Sequence, residues 1–238
     1  MPDLKALEAI YEFYDEFLAG TPMACKKGCS TCCTTNVSMT SLEARYILES
    51  GLLTKELMAK LKEAAAADHF IPSTTINTSA AMCLSENQMP EETSPVTFDP
   101  CPLLTDDGLC SIYEARPFSC RAMCSEIVCT EGGEASMAPF LVTVNLAIYQ
   151  ILEHLDSDGW YGNMLDILQV VKPNKEDSMR AAAEMEGKIK TNRPIPCFII
   201  PPDDVMRFKS FMRRLSKKEF QPGKTLGELL PEDWQIIS

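Results

Sequence analysis

Cys25-Lys26-Lys27-Gly28-Cys29-Ser30-Thr31-Cys32-Cys33 places four cysteines in nine residues. A second window, Cys101, Cys110, Cys120, Cys124 and Cys129, carries five more, and only Cys83 and Cys197 of the 11 cysteines fall outside the two. Cysteine is a small hydrophobe that packs well in cores, and positions 25, 29, 32 and 33 would share one face if the segment were helical. Packing alone does not account for such clustering. Two cysteines separated by two residues can reach one metal ion from a single turn, at sulfur–metal distances of about 2.3 Å. Adjacent Cys32 and Cys33 point in different directions, which suits a cluster or two neighbouring sites.

The rest of the chain sets the context for these thiols. Its 22 Lys and Arg stand against 34 Asp and Glu, a formal charge of −12, which disfavours nucleic acid or an anionic membrane surface as the main partner. Acids interrupt the apolar residues of positions 1–20, so no secretion signal is read there, and a cytoplasmic location is expected. No run approaches the ~18 apolar residues of a membrane span. In a reducing compartment, clustered cysteines point to metal ligation or catalysis before disulfides. With only His69 and His154 in the chain, a three-histidine zinc site is excluded. Both histidines read as solvated residues near helix ends. All-sulfur ligation suits an iron–sulfur cluster or zinc.

Working outward from the first window, the expected fold class is mainly α: a helical domain with cysteine-rich metal-binding loops and a small β-hairpin. Leu4, Leu7, Ile10, Tyr11, Tyr14 and Leu18 recur at helical spacing and end at Gly20-Thr21-Pro22. Thr40-Ser41-Leu42-Glu43 has capping-box spacing and opens a helix that stops at Gly51. A third helix is read from Thr54 to about Phe70. Residues 71–100, rich in Ser, Thr, Asn, Pro and Glu, read as a long covering loop. Two short extended runs meet at Thr105-Asp106-Asp107-Gly108, since Asp-Gly favours a hairpin turn. After Gly132-Gly133, helices are expected over Ser136–His154, Trp160–Val171, Lys175–Lys190 and Pro202–Phe220. Ile195–Ile200, bracketed by prolines, is read as an extended strap. The expected organisation is a cysteine-cluster region over 1–135 with a helical region over 136–238 packing on it as one domain.

Cys25-x3-Cys29-x2-Cys32 is also the spacing of the radical S-adenosylmethionine enzymes. Their motif follows a strand that opens a βα barrel, whereas here a helix precedes it and no barrel pattern follows. Cys29-Ser30-Thr31-Cys32-Cys33, Cys101-Pro102-Leu103-Leu104 and Cys110-Ser111-Ile112-Tyr113-Glu114-Ala115-Arg116-Pro117-Phe118-Ser119-Cys120-Arg121 together resemble the CxxCxxCC cysteine-cluster family. That family is described as zinc- or iron-chelating, and some members are labelled iron–sulfur oxidoreductases or flagellin lysine N-methylases. The resemblance implies that Cys25, Cys29, Cys32, Cys33, Cys101, Cys110 and Cys120 are metal ligands, with Cys124 and Cys129 competing for a further place. Three residues, not two, separate Cys25 from Cys29. It further implies an iron–sulfur oxidoreductase; a structural zinc scaffold without catalysis, or a cluster-dependent protein lysine methyltransferase, is the alternative. Partners are an unidentified protein or small molecule.

The residues beside the cysteines fit a centre of several thiolates, which carries negative charge. Arg116 and Arg121 flank Cys120 and are expected to offset that charge and donate hydrogen bonds. Lys26 and Lys27 are placed to act similarly beside Cys25 and Cys29. Gly28 is expected to supply a positive φ that turns amides toward sulfur.

Overall fold

The computed structural model describes residues 2–26, 28–130, 134–232 and 234–237, so Lys27 and Gly132-Gly133 lie outside it. The chain opens with α1 (Pro2–Leu18), then β1 (Ser38–Thr40), α2 (Ser41–Glu49), α3 (Lys55–Ala64), α4 (Ile76–Leu84), a 3-10 turn (Tyr113–Ala115) and the short α5 (Phe118–Ala122). It continues through α6 (Pro139–Leu155), β2 (Trp160–Asn163), α7 (Met164–Val170), α8 (Lys175–Glu184), β3 (Lys190–Thr191) and β4 (Phe198–Ile199). A second 3-10 turn (Pro202–Asp204) leads to α9 (Val205–Ser216), β5 (Glu219–Gln221), β6 (Lys224–Thr225), a third (Leu226–Leu229) and β7 (Ile236–Ile237). The fold is helix-rich with small β elements. β1, β2 and β3 form an antiparallel sheet in that order, β4 pairs with β7 in parallel, and β5 pairs with β6 antiparallel.

Two cores hold these elements. The first gathers the apolar stripe of α1 (Leu7, Ile10, Tyr14) against α6 (Val144, Ile148), α9 (Phe208, Phe211) and Phe118. Each such side chain, fully buried, contributes about 1.5–3 kcal/mol. The second gathers Met39, Ile47, Leu61, Ile167 and Leu168 with Leu103 and Ile112 from the cysteine-bearing loops, and Cys101, Cys110 and Cys120 pack against its edge. Helix α5 spans both, with Phe118 in the first core and Cys120 against the second.

Several expectations needed correction. Residues 71–100 are not loop throughout. They contain α4, capped by Thr75 accepting from the Thr78 amide, although Asn, Thr and Ser within it are weak helix formers. Tertiary contacts supply what propensity lacks: Glu153 accepts the Asn77 amide at 2.8 Å, and Asn77 Nδ2 donates to the Gln150 carbonyl. The predicted helix from Trp160 begins as strand β2, because residues 161–163 pair with β1 and 160–161 with β3 before Asn163 caps α7. The helices predicted from Thr54 and Lys175 end earlier, at Ala64 and Glu184, and the one predicted to Phe220 gives way to β5. Both histidines are packed inside the fold. His69 is buried, with Nε2 2.8 Å from Asp166 and Nδ1 2.8 Å from the Ala67 carbonyl. His154 is half-buried, with Nε2 3.0 Å from the Leu229 carbonyl, and burial lowers its pKa. Helix α2 bears out its capping box on Thr40 and Glu43.

Candidate metal centre

The first cysteine window is an irregular loop, not a helix. Gly28 adopts φ +85°, a conformation that side-chain-bearing residues rarely take, and the Cys29 amide closes a turn on the Lys26 carbonyl at 2.9 Å. A second turn runs from the Cys33 amide to the Ser30 carbonyl at 2.9 Å. These two tight turns shape the loop that carries Cys29, Cys32 and Cys33.

Both ends of this loop dock on the second window. At its C-terminal end the Cys101 amide donates to the Cys33 carbonyl at 2.9 Å, and the Thr35 amide donates to Asp99 at 3.1 Å. At its N-terminal end the Ala24 amide donates to the Ser125 carbonyl at 2.8 Å, and the Ser125 amide points at Cys25 Sγ, 3.3 Å away. The predicted hairpin is a tight turn with a single bridge between Leu104 and Cys110, closed by Gly108 at φ +71°. It tucks against the first window, since a Cβ on Gly108 would lie 3.5 Å from Ser30 Oγ.

The electrostatic neighbours of each thiol show how the nine cysteines are distributed. Cys33 is raised first by its hydrogen bond to Cys32, then by burial and by Cys32, Cys120 and Cys101, and Cys120 is raised by burial, then by Cys101, Cys110 and Cys32. Cys25 is raised by burial and by Cys29, Cys32 and Cys129, while the Ser125 amide lowers it. Buried Cys124 neighbours Cys25 and Cys32. The Cys33 thiol donates to Cys32, which holds the Cys32 pKa down to about 6. Burial pushes Cys101 up to about 11, with the Leu103 amide opposing it, and raises Cys110, where the Ile112 amide opposes it. Such amide-to-sulfur hydrogen bonds stabilise the deprotonated thiolate, the form that binds metal.

The two arginines occupy different places. Arg116 stacks 3.8 Å over the Tyr113 ring, donates to the Tyr113 carbonyl at 2.8 Å, and lowers the pKa of both Cys110 and Cys120. Arg121 is buried; its guanidinium donates to the Glu114 and Arg116 carbonyls and to Asp15, and covers the Tyr11 ring at 4.2 Å. Those bonds stitch the turn before Cys120 onto α1. Lys26 is exposed.

Glu43 is a residue of the centre's support whose capping role alone was legible in the sequence. Buried beneath α5, it accepts the Phe118 amide at 2.7 Å, the Tyr11 hydroxyl at 2.9 Å and the Thr40 amide at 2.8 Å. It anchors the first free amide of the helix that carries Cys120.

The donor set fits a thiophilic metal: sulfur ligands from two loops, hydrogen-bonded by amides, with both histidines engaged elsewhere. Among the described residues, no three His, Cys, Asp or Glu side chains already surround one ion-sized point. Binding metal through these thiols therefore requires rotation of cysteine side chains on the docked loops.

Residues 24–135 match the model of the CxxCxxCC family, described as "Putative zinc- or iron-chelating domain". This segment, just under half of the chain and containing nine of the cysteines, is similar to that family. No curated protein matches the chain, and no solved structure does. Among the described residues, no helix is long and apolar enough to cross a membrane.

Proposed function

We propose that the two cysteine windows form one thiolate metal centre, with an iron–sulfur cluster as its leading occupant and electron transfer in an oxidoreductase as its chemistry. The observation that carries this reading is the docking of the first window on the second at both ends, through Cys33–Cys101 and Cys25–Ser125. Nine clustered thiols exceed the four that one iron–sulfur cluster or one structural zinc takes, and soft sulfur ligation suits iron. Amide hydrogen bonds to Cys25, Cys101 and Cys110, together with the Arg116 charge, are the contacts that set the potential of thiolate-bound iron. In this reading the helical residues 136–238 are the frame: Asn145 of α6 accepts from Tyr14 and donates to the Ala122 carbonyl, which joins α1, α5 and α6 behind the cysteines.

A structural zinc centre is the second reading. It is favoured by the length of chain between Cys33 and Cys101, which a metal would clip closed with a large contribution to folding. Anaerobic purification followed by metal analysis and visible absorption separates the two. A brown protein containing iron and acid-labile sulfide, bleached by reductant, supports the oxidoreductase. A colourless protein with stoichiometric zinc establishes the scaffold. Metal content unchanged by combined Cys29→Ser, Cys32→Ser and Cys120→Ser replacement would overturn both.

A further inference from the structure

Cys83 and Cys197, the two cysteines outside the windows, come to the same stretch of α4 in the folded chain. Cys197 sits in the extended strap and is fully buried, with its Sγ 3.7 Å from the Ala80 carbonyl of α4. Cys83 lies three residues beyond Ala80, one turn further along the same helix and on the same side of it. The strap is fixed against this turn. Gln150 Nε2 donates to the Cys197 carbonyl at 2.8 Å and to Asn77 Oδ1 at 3.1 Å, while Asn77 Nδ2 donates to the Arg193 carbonyl at 2.8 Å. After burial, the Cys83 sulfur is the neighbour that raises the Cys197 pKa. Both thiols are free, Cys83 exposed and Cys197 buried. One sulfur therefore meets solutes while the other is shielded from them.

We propose that Cys83 and Cys197 form a reversible disulfide with a hydroperoxide as oxidant, at a site separate from the metal-binding windows. The Cys83 sulfur attacks the peroxide; the O–O bond breaks, hydroxide leaves, and Cys83 becomes a sulfenic acid. The Cys197 sulfur, as it gives up its proton, attacks the sulfenic sulfur and displaces its hydroxyl as water. Two thiols lose two electrons and hydrogen peroxide is reduced to two waters. The link fastens α4 to the strap, and with it the start of the chain that runs on to Cys101. A thiol reductant restores both cysteines.

The full metal-loaded chain is treated with one equivalent of hydrogen peroxide, blocked with an alkylating agent and digested without reductant for mass spectrometry. A peptide pair joining Cys83 to Cys197 is expected, lighter by two hydrogens than the separate thiols, lost on adding dithiothreitol and absent from the Cys83→Ser variant. In Cys197→Ala, treated with two equivalents of peroxide and with unchanged far-ultraviolet circular dichroism, Cys83 is expected to proceed to the sulfinic acid, each equivalent supplying one oxygen. The proposal is overturned if Cys83 stays reduced, passes directly to sulfinic acid in the wild-type chain, or is found joined to a window cysteine.

Discussion

Cys32 is the thiol whose reactivity the fold sets apart. Because the Cys33 thiol donates to it, it is largely a thiolate at neutral pH, and its side chain is exposed. Pulse alkylation of the metal-free protein at about pH 7 is therefore expected to modify Cys32 first, with a rate that levels off above its pKa of about 6. Cys101 should instead label faster as the pH rises toward about 11. Peptide mass spectrometry checks the order, and equal labelling of both at pH 7 would contradict it. Glu43 carries the largest penalty for a single replacement. Glu43→Ala strands the Phe118 and Thr40 amides and the Tyr11 hydroxyl in the interior, at about 1–3 kcal/mol for each unsatisfied group. A loss of about 3–5 kcal/mol is expected by urea denaturation, with reduced metal retention because α5 no longer holds Cys120 in place. The capping role of Glu43 was legible from Thr40-Ser41-Leu42-Glu43. Its bonds to Tyr11 and Phe118 were not, since they join residues 32 and 75 positions away.

At the scale of elements, buried carboxylates splice helices to loops. Asp156, just beyond α6, accepts from the Leu42 amide at 2.9 Å and from Arg45 and Asn192, both at 2.9 Å, so that α2, α6 and the chain entering the strap converge on one side chain. Gly159 passes so close that an added Cβ would collide with the Asp156 carboxylate and Ser41 Oγ. Gly159→Ala is expected to cost about 1–3 kcal/mol as an overpacking change, seen as a lower denaturation midpoint with an unchanged m-value. Periodicity identified the long amphipathic helices, α1 and α6, because their own apolar stripes determine which face is buried. It missed α4 and mistook β2 for the start of a helix. The polar residues of α4 are satisfied by Glu153 and Gln150 from another element, and β2 is extended because β1 and β3 offer it partners.

For the molecule as a whole, metal-free and metal-loaded forms should respond differently to alkali. Burial raises the pKa of Glu43, Glu153 and Asp156, so the folded chain takes up their protons before the unfolded chain does. Their contribution to stability therefore grows as the pH falls from neutral toward the ordinary carboxylate range, and shrinks as it rises. The raised thiols act with the same sign in alkali, where the unfolded chain ionises first; Cys101 extends this to about 11. Relief of the −12 charge on acidification adds to both. Cys32 and His154, whose pKa values are lowered, act with the opposite sign below about pH 9, so the metal-free protein is expected to lose urea midpoint between about pH 9 and about pH 11, where the raised thiols titrate. Thiols already deprotonated by a metal have no proton left to lose, so the loaded protein is expected to hold its midpoint over that range, and parallel dependences in the two forms would refute thiolate ligation. The sequence by itself determined the ligand chemistry, because residue type and close spacing are properties of the chain: nine thiols in two windows, a hairpin turn at Asp107-Gly108 and amphipathic helices on either side. Only the tertiary structure decided that Cys33 lies on Cys101 and Cys25 on Ser125, that Arg116 stacks on Tyr113 while Arg121 is spent on α1, and that Cys197 packs on the helix that carries Cys83. Each of those pairings depends on hydrogen bonds and packing between segments far apart in the chain, which local spacing does not encode.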